Sequence, residues 1–577
     1  MKTNSKSKNT KKANLPVKGA DVVVQCLKRE GVDLVFAYPG GQSIELHQAL
    51  TREPSIRVVL PRHEQGGAFA AVGYARATGK TGVCMATSGP GATNLITGIA
   101  DAYMDSVPTV FITGQVPLPL IGKNAFQETD IIGITRPIVK HSFLVLKVED
   151  IPAIIDDAFR IANSGRPGPV VVDVPKNIQQ QMIVPHYPEQ PYGLDYTALH
   201  PVIKESDIKQ IRKWILNSRR PCIYAGGGVI AAGASEELRK FARSYNIPVT
   251  TTLLGLGAFP DDDPLSLLWL GMHGSYAANY AANECDLLLT FGARFDDRVT
   301  GPTATFAPDA TIVHVDIDWS EIDKNKRVAL GVVADVKDVL LRLNEQPQYL
   351  KNTEWHDRIA KWKKEHPART YKPSKMPQPQ QIVEILSELT DGNAIIVPGV
   401  GQHQMWAAQY YHYSKPRQFL TSGGLGSMGF GLPAAMGAKL ACPDSVIINI
   451  DGDGSFQMNI QELATLNMEK IPVKIILLNN QHLGMVAQWE DRFYQSNRGN
   501  TVLENPAAQG FYPDFVTIAK GYGIPALTVT KRSEVRKAIQ TMLETDGPFL
   551  LDCHTGYYEH VLPMIPPGKT YRDIIEE

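Results

Sequence analysis

The sequence predicts an α/β protein built from three doubly wound parallel-sheet domains, and three observations carry that reading. The chain has 577 residues, enough at about 100 to 200 residues per domain for three or four units with cores of their own. Short apolar runs ending in Gly or Asp alternate with longer helix-like stretches, the pattern of repeated βα units. That alternation breaks twice, at His186 to Pro201, rich in Pro and Tyr, and at Glu365 to Gln381, rich in Pro, Lys and Gln. Both stretches have the composition of linkers.

The units follow in order. Residues 1–16 are expected to form a disordered basic tail, because the first 18 residues hold six lysines and no acid. They offer no apolar core for a secretory signal and no Arg to suggest a transit peptide. The first domain, 17–188, contains the candidate strands Leu34 to Ala37, Gly82 to Thr87, Thr109 to Thr113 and Val170 to Val174. The second, 200–368, contains Pro221 to Ala225, Cys285 to Phe291 and Thr311 to Ile317. The third, 378–577, contains Ala394 to Val397, Val446 to Ile450, Val473 to Leu478 and Phe549 to Asp552.

Charge narrows the partners. With 58 Lys+Arg against 59 Asp+Glu the net charge is -1, which leaves no electrostatic footprint for nucleic acid or an anionic membrane. No apolar run approaches the roughly 18 to 20 residues of a membrane-spanning helix. Small molecules or other proteins are the expected partners. The six cysteines are scattered singly without CxxC spacing, which points to a reducing compartment and is read as cytoplasmic.

The most informative stretch is the apolar run Val446 to Ile450 followed by Asp451-Gly-Asp-Gly-Ser455, with Asn480 ending the next strand 27 residues after Asp453. A carboxylate and a carboxamide at strand C-termini sit where doubly wound sheets bind ligands. Asp453 and Asn480 are hard oxygen donors suited to Mg2+, which takes few protein ligands and fills its octahedron with phosphate oxygens and water. Gly452 and Gly454 let the backbone approach a diphosphate. Either fragment alone reads as turn residues after a strand. Together they resemble the diphosphate motif of thiamine diphosphate (ThDP) enzymes.

Such an enzyme needs a carboxyl group in a dry pocket to protonate the cofactor's pyrimidine. Glu64, in Pro61-Arg-His-Glu-Gln-Gly66 at the start of an Ala/Gly-rich helix, is the candidate. Alone it reads as an acid favourable to a helix N-terminus. It lies 389 residues before Asp453, so the cofactor bridges the first and third domains.

Further segments, among them Tyr38-Pro-Gly-Gly41, Ala86-Thr-Ser-Gly-Pro-Gly-Ala-Thr-Asn94, Ala125-Phe-Gln-Glu-Thr129, Gly399-Val-Gly-Gln-His403, Thr421 to Gly429 and Leu478 to Trp489, resemble the acetohydroxyacid synthase (acetolactate synthase) catalytic-subunit family of ThDP enzymes. The likeness runs from about Val17 to the C-terminus. It implies a pyrimidine-binding, a central FAD-binding and a diphosphate-binding domain, with ThDP, Mg2+ and FAD as cofactors. Glu64 becomes the catalytic carboxylate, Met428 the wedge beneath the thiazolium, and the Gly426 carbonyl an acceptor from the cofactor's amino group. Gln402, His403, Gly454 and Ser455 would hold the diphosphate, and Asp453, Asn480 and the His482 carbonyl the Mg2+.

In the middle domain the resemblance assigns FAD to Arg166, Gly227, Gly228, Arg294, Asp316 and Asp335. It assigns the substrates, pyruvate and 2-ketobutyrate, to Phe126, Gln127, Lys176, Arg298, Met485 and Trp489. If the stretch holding Met485 and Trp489 is helical, the two share one face. The implied reaction decarboxylates pyruvate and joins the two-carbon unit to a second 2-keto acid. A homodimer or homotetramer is implied, each site using Glu64 of one subunit and Asp453 of another, together with a small regulatory subunit. The alternative is a flavin-redox pyruvate oxidase of the same fold; the Pro-broken C-terminus forms no amphipathic membrane helix and weighs against its membrane-attached kind. The run Gly424-Leu-Gly-Ser-Met-Gly429 satisfies GxGxxG, but it lacks a strand directly before it and is not read as a dinucleotide site.

Overall fold

The computed structural model describes residues 15–187, 203–505, 507 and 510–577. The basic tail up to residue 14, the linker from 188 to 202 and the boundaries expected at 188 and 200 lie outside the described residues. Three parallel sheets, each flanked by helices, organise the rest.

The first unit carries β1 (Val17–Lys18), β2 (Leu34–Ala37), β3 (Arg57–Val59), β4 (Gly82–Ala86), β5 (Thr109–Gln115), β6 (His141–Leu144), β7 (Pro169–Pro175) and β8 (Met182–Ile183). Six of these form a parallel sheet in the order β3-β2-β4-β5-β7-β6. β1 and β8 pair antiparallel, Val17 opposite Ile183, and tie the two ends of the unit together. β5 and β7 are buried along their whole length, which is why they read as continuous apolar runs without alternation.

The middle unit carries β9 (Pro221–Ala225), β10 (Val249–Thr251), β11 (Ser266–Trp269), β12 (Leu287–Phe291), β13 (Thr311–Asp316) and β14 (Leu330–Val333), in the order β11-β10-β9-β12-β13-β14. The winding reverses between β9 and β12, and the crevice at such a reversal is where open α/β sheets take ligands.

The third unit carries β15 (Ile395–Pro398), β16 (Ile447–Gly452), β17 (Lys474–Asn479), β18 (Ala526–Val529) and β19 (Phe549–His554), in the order β15-β16-β17-β19-β18. Phe419 bridges in parallel to Ile396 outside β15. With that bridge the third sheet has the same winding order as the first, so its reversal lies between β15 and β16. The bridge also means that the chain touches a sheet just before Gly424, where no strand was expected.

The expected strands are present, each shifted by at most two residues at an end. Those not expected, β1, β3, β6, β8, β10, β11, β14 and β18, are two to four residues long. β3, β6, β14 and β18 are also partly exposed, which breaks the apolar run that would have announced them.

The first and third units share one core. The helix Glu64–Thr78 lies across the helix Gly431–Ala441, with Ala70 and Gly73 of the first packed against Ala434 and Gly437 of the second. A Cβ at Gly73 would overlap the Ala434 carbonyl, and one at Gly437 the Ala70 carbonyl. Small residues on both faces are what allow this approach. Glu64 therefore begins a helix clamped between two sheets.

Candidate active site

Three neighbouring strand ends of the third sheet present the residues singled out for the cofactor. After β15 the chain turns through Gly399 and Gly401 and starts the helix Gln402–Tyr410. After β16, Asp453 opens the helix Asp453–Gln457. After β17, Asn480, Gln481 and His482 lead into the helix Gly484–Phe493. Parallel strands bring all three turns to one edge, the carboxyl edge, with helix N-termini favouring anions.

Asp453 is buried, and among the described residues no basic side chain pairs with it. Burial pushes its carboxyl up to about 7, against main-chain amides that pull it down. A divalent cation beside it would oppose that shift by favouring the charged carboxylate. Asn480 Oδ1 accepts from His482 N at 3.0 Å, and Asn480 Nδ2 stands 3.4 Å from Gln402 Oε1. The turn is pinned by Leu483 N to Thr501 O and Leu503 N to Gln481 O, both 2.8 Å, and neither bond uses the His482 carbonyl. Gln481 takes a left-handed φ of 56° to make the turn. Among the described residues no three His, Cys, Asp or Glu side chains converge on a metal position. A site of one carboxylate, one carboxamide and one carbonyl contains no such trio, and that donor set suits Mg2+.

His403 Nε2 is buried 3.3 Å from Asp451 Oδ1 yet makes no hydrogen bond, an orphaned polar atom at the edge where a diphosphate would lie. Ser455 Oγ accepts from Gly429 N at 3.0 Å, tying the turn after β16 to the loop that carries Gly426 and Met428. A Cβ at Gly454 would stand 3.7 Å from Met428 Cε, so the thioether lies over that glycine. The residues from 556 onward cross the same edge: Gln402 Nε2 donates to Glu559 O at 3.0 Å, and Gln488 exchanges bonds with the Val561 backbone.

Glu64 is buried, and its Oε2 accepts from Asn94 Nδ2 at 3.0 Å. The turn before it is held by Glu462 of the third unit, whose carboxylate accepts from Arg62 N at 2.9 Å and His63 N at 3.1 Å. Asn94 lies within the Ala86 to Asn94 segment and Gln488 within Leu478 to Trp489, but neither stands out there as a single residue; Glu462 carries no sequence signal at all.

The substrate candidates fall into two groups. Met485 and Trp489 lie one turn apart on the helix Gly484–Phe493, and the Arg298 guanidinium faces the Trp489 ring. Phe126, Gln127 and Lys176 belong to the first unit, and among the described residues no hydrogen bond, ion pair or ring contact joins them to Arg298 or Trp489. Phe126 is 84% exposed, and Gln127 adopts a φ of 60° against Gly89.

In the middle unit, the Gly226-Gly-Gly228 turn after β9 meets Gly292 after β12 at the winding reversal. Gly228 N donates to Gly292 O at 3.1 Å, and a Cβ at Gly226 would overlap that carbonyl. Gly226, Gly228 and Gly292 are required by main chain packing on main chain, in addition to any ligand. Arg166 pairs with Glu321 at 2.6 Å and Asp318 at 3.4 Å, while Arg294 Nη1 donates to Met104 O at 2.8 Å. Asp335 caps the helix Val336–Leu343 by accepting from Lys337 N. Burial raises the Asp316 carboxyl to about 6. The buried hydroxyls of Thr251 and Thr252, at the end of β10, have no partner, a polar lining fit for a ligand at this crevice.

Three family profiles match the chain: "Thiamine pyrophosphate enzyme, N-terminal TPP binding domain" over 17–134, the "central domain" over 208–343 and the "C-terminal TPP binding domain" over 399–553. Acetolactate synthase 1, chloroplastic, of Oryza sativa subsp. japonica is 57% identical over 568 residues, covering 97% of this chain and 88% of the relative. The chain belongs to the acetolactate synthase family. Acetolactate synthase 1 of Nicotiana tabacum is 56% identical over 571 residues and the Arabidopsis thaliana enzyme 55% over 570, each covering 97% of this chain and 85% of the relative. These family members do not favour the pyruvate oxidase alternative. They overturn the cytoplasmic expectation, since all three are named as chloroplastic. The six cysteines, all free thiols, indicate only a reducing environment, which is not peculiar to the cytoplasm.

Proposed function

We propose that this protein is an acetolactate synthase that decarboxylates pyruvate and joins the two-carbon unit to a second pyruvate or to 2-ketobutyrate, giving 2-acetolactate or 2-aceto-2-hydroxybutyrate. The observation that carries this reading is the placement of Asp453 and Asn480 on adjacent strand ends, beside Gln402 and His403 at the same edge. Bound ThDP supplies the electron sink that lets a 2-keto acid lose carbon dioxide. Asp453, Asn480 and the His482 carbonyl hold Mg2+, and Gln402, His403, Gly454 and Ser455 receive the diphosphate. Met428 would support the thiazolium ring, and the Gly426 carbonyl would accept from the cofactor's amino group.

Glu64 holds a proton at the pyrimidine, oriented by Asn94 and shielded from water by its burial. Arg298 meets the substrate carboxylate, and Met485 and Trp489 wall the acceptor's side chain. Arg166, Gly227, Gly228, Arg294, Asp316 and Asp335 would hold FAD at the middle sheet. The domains run over 17–188, 200–368 and 378–577. Two copies at least complete the sites, Phe126, Gln127, Lys176 and Glu64 of one subunit facing the third unit of the other; the exposure of Phe126 supports this. A homotetramer and a small regulatory subunit are part of the same proposal.

Replacing Glu64 with Gln tests the central role. The variant is expected to keep its affinity for ThDP within about threefold and to lose roughly 100-fold or more in kcat, the usual scale of a general acid–base group. Near-normal turnover would remove Glu64 from the chemistry.

A further inference from the structure

Gly426 and Met428 lie on a loop, 421–429, whose anchor is in another unit. Asp105, at the end of the helix Ile96–Met104 of the first unit, accepts from Gly423 N at 2.8 Å and Gly424 N at 2.6 Å. Asp101, one turn earlier, accepts from the Ser422 hydroxyl and from Ser427 Oγ at 3.4 Å. Arg76, on the Glu64 helix, pairs closely with Asp105 and stands 3.8 Å from Asp101. Both carboxylate side chains are fully enclosed. Burial, then the Asp105 charge, raises the Asp101 carboxyl, and Arg76 opposes this.

The loop is also closed on itself and pinned at its far end. Ser427 N donates to Ser422 Oγ at 2.8 Å, Gly429 N to Ser455 Oγ at 3.0 Å, and Gln404 Nε2 to Thr421 Oγ1 at 2.8 Å. Between the anchors, Gly426 takes a φ of 74°, which aims its carbonyl in a direction that side-chain-bearing residues rarely adopt. Two enclosed carboxylates sharing one guanidinium are a costly way to glue two domains, since apolar packing of equal volume holds as well. What they provide is a fixed position for the main chain at 423 and 424, the latter two residues from Gly426 and four from Met428.

We propose that Asp101 and Asp105 are positioning residues of the active site, setting from the first unit where Met428 and the Gly426 carbonyl stand. The proposal rests on the assignment of Met428 and Gly426 to ThDP given above. It makes the helix that follows the Ala86 to Asn94 motif part of the machinery that holds the cofactor's shape, without contact to the cofactor.

The test is a double-mutant cycle of Asp105→Asn and Met428→Ala, read by hydrogen–deuterium exchange at C2 of bound ThDP and by the ThDP dissociation constant. Asp105→Asn is expected to slow exchange about tenfold with the dissociation constant moving less than about threefold, and to add little in the Met428→Ala background. Unchanged exchange in Asp105→Asn, or effects that multiply independently, overturns the positioning role. Unchanged exchange in Met428→Ala overturns the assignment of Met428 itself, and the proposal with it. If Asp105→Asn fails to fold, Ser422→Ala removes a donor to Asp101 while keeping both charges. A slowing of about threefold in that variant supports the positioning role, and unchanged exchange overturns it.

Discussion

The guanidinium carbon of Arg298 stands 6.0 Å from the centre of the Trp489 ring. One residue comes from the middle unit and the other from the third, so the cation read as meeting a substrate carboxylate is braced by the wall read as sorting acceptors. A contact at this distance is a cation–π pair, worth about 0.5 to 1 kcal/mol when exposed; the Arg298 side chain is 63% exposed.

Trp489→Leu should bring the rates with pyruvate and 2-ketobutyrate as acceptor closer together. Discrimination by one methylene is worth about 1 to 3 kcal/mol, so losing the wall should narrow the product ratio roughly fivefold or more in a competition of the two acids. An unchanged ratio would assign Trp489 to packing alone.

Arg298→Ala should raise the KM for pyruvate roughly tenfold, because a hydrogen bond to a charged group is worth about 1.5 to 3 kcal/mol. Its exposure means that Tm should hardly move. A fall in Tm with KM intact would make the residue structural.

Gly437→Ala should destabilise the shared core by about 1 to 3 kcal/mol, the usual cost of overpacking. The added methyl would overlap the Ala70 carbonyl across the helix crossing. Chemical denaturation reads this directly, and an unchanged midpoint would show that the two helices can part freely.

Asp173 gives a pH dependence whose sign is fixed. It accepts from Thr113 Oγ1 at 2.6 Å and Gln115 Nε2 at 2.8 Å, and burial raises its carboxyl to about 7. Unfolded, it titrates near 4. Between those values the folded chain holds a proton that the unfolded chain has released, so this residue's contribution is complete below about pH 4 and is lost as pH rises towards 7. Asp173→Asn should flatten that part of the stability curve relative to the unaltered protein. Parallel curves would contradict the shift.

Removing divalent metal with a chelator should release ThDP, and adding Mg2+ should restore binding. Asp453→Asn should raise the Mg2+ needed for half-saturation by about tenfold or more, since even outer-shell changes at metal sites cost 10- to 100-fold. ThDP binding indifferent to the chelator would exclude the proposed role of Asp453.

Much of this was legible because the chemistry is local in sequence. Asp453, between two glycines, and Asn480 both follow apolar runs, and the same fact places them at a sheet edge. The spacing of Met485 and Trp489 puts them on one face on the condition that the stretch is helical, and it is. What stayed hidden joins distant segments. Glu462 holds the amides before Glu64 from 400 residues away in sequence, and a lone Glu on an amphipathic helix looks like a solvated one. Asp101 and Asp105 gave no signal for the same reason. The resemblance assigns Gly227 and Gly228 to a ligand, and it gives no sign that Gly226 and Gly228 also pack main chain on main chain against Gly292. Short edge strands such as β3 and β6 carry too few buried positions to stand out from turns.

The most direct measurement is product analysis after adding pyruvate to the purified protein with ThDP, Mg2+ and FAD, with and without oxygen, assaying acetolactate, acetate and peroxide together. Acetolactate is predicted to be the main product, formed at the same rate in both atmospheres. Acetate and peroxide formed only in the presence of oxygen would contradict the synthase assignment.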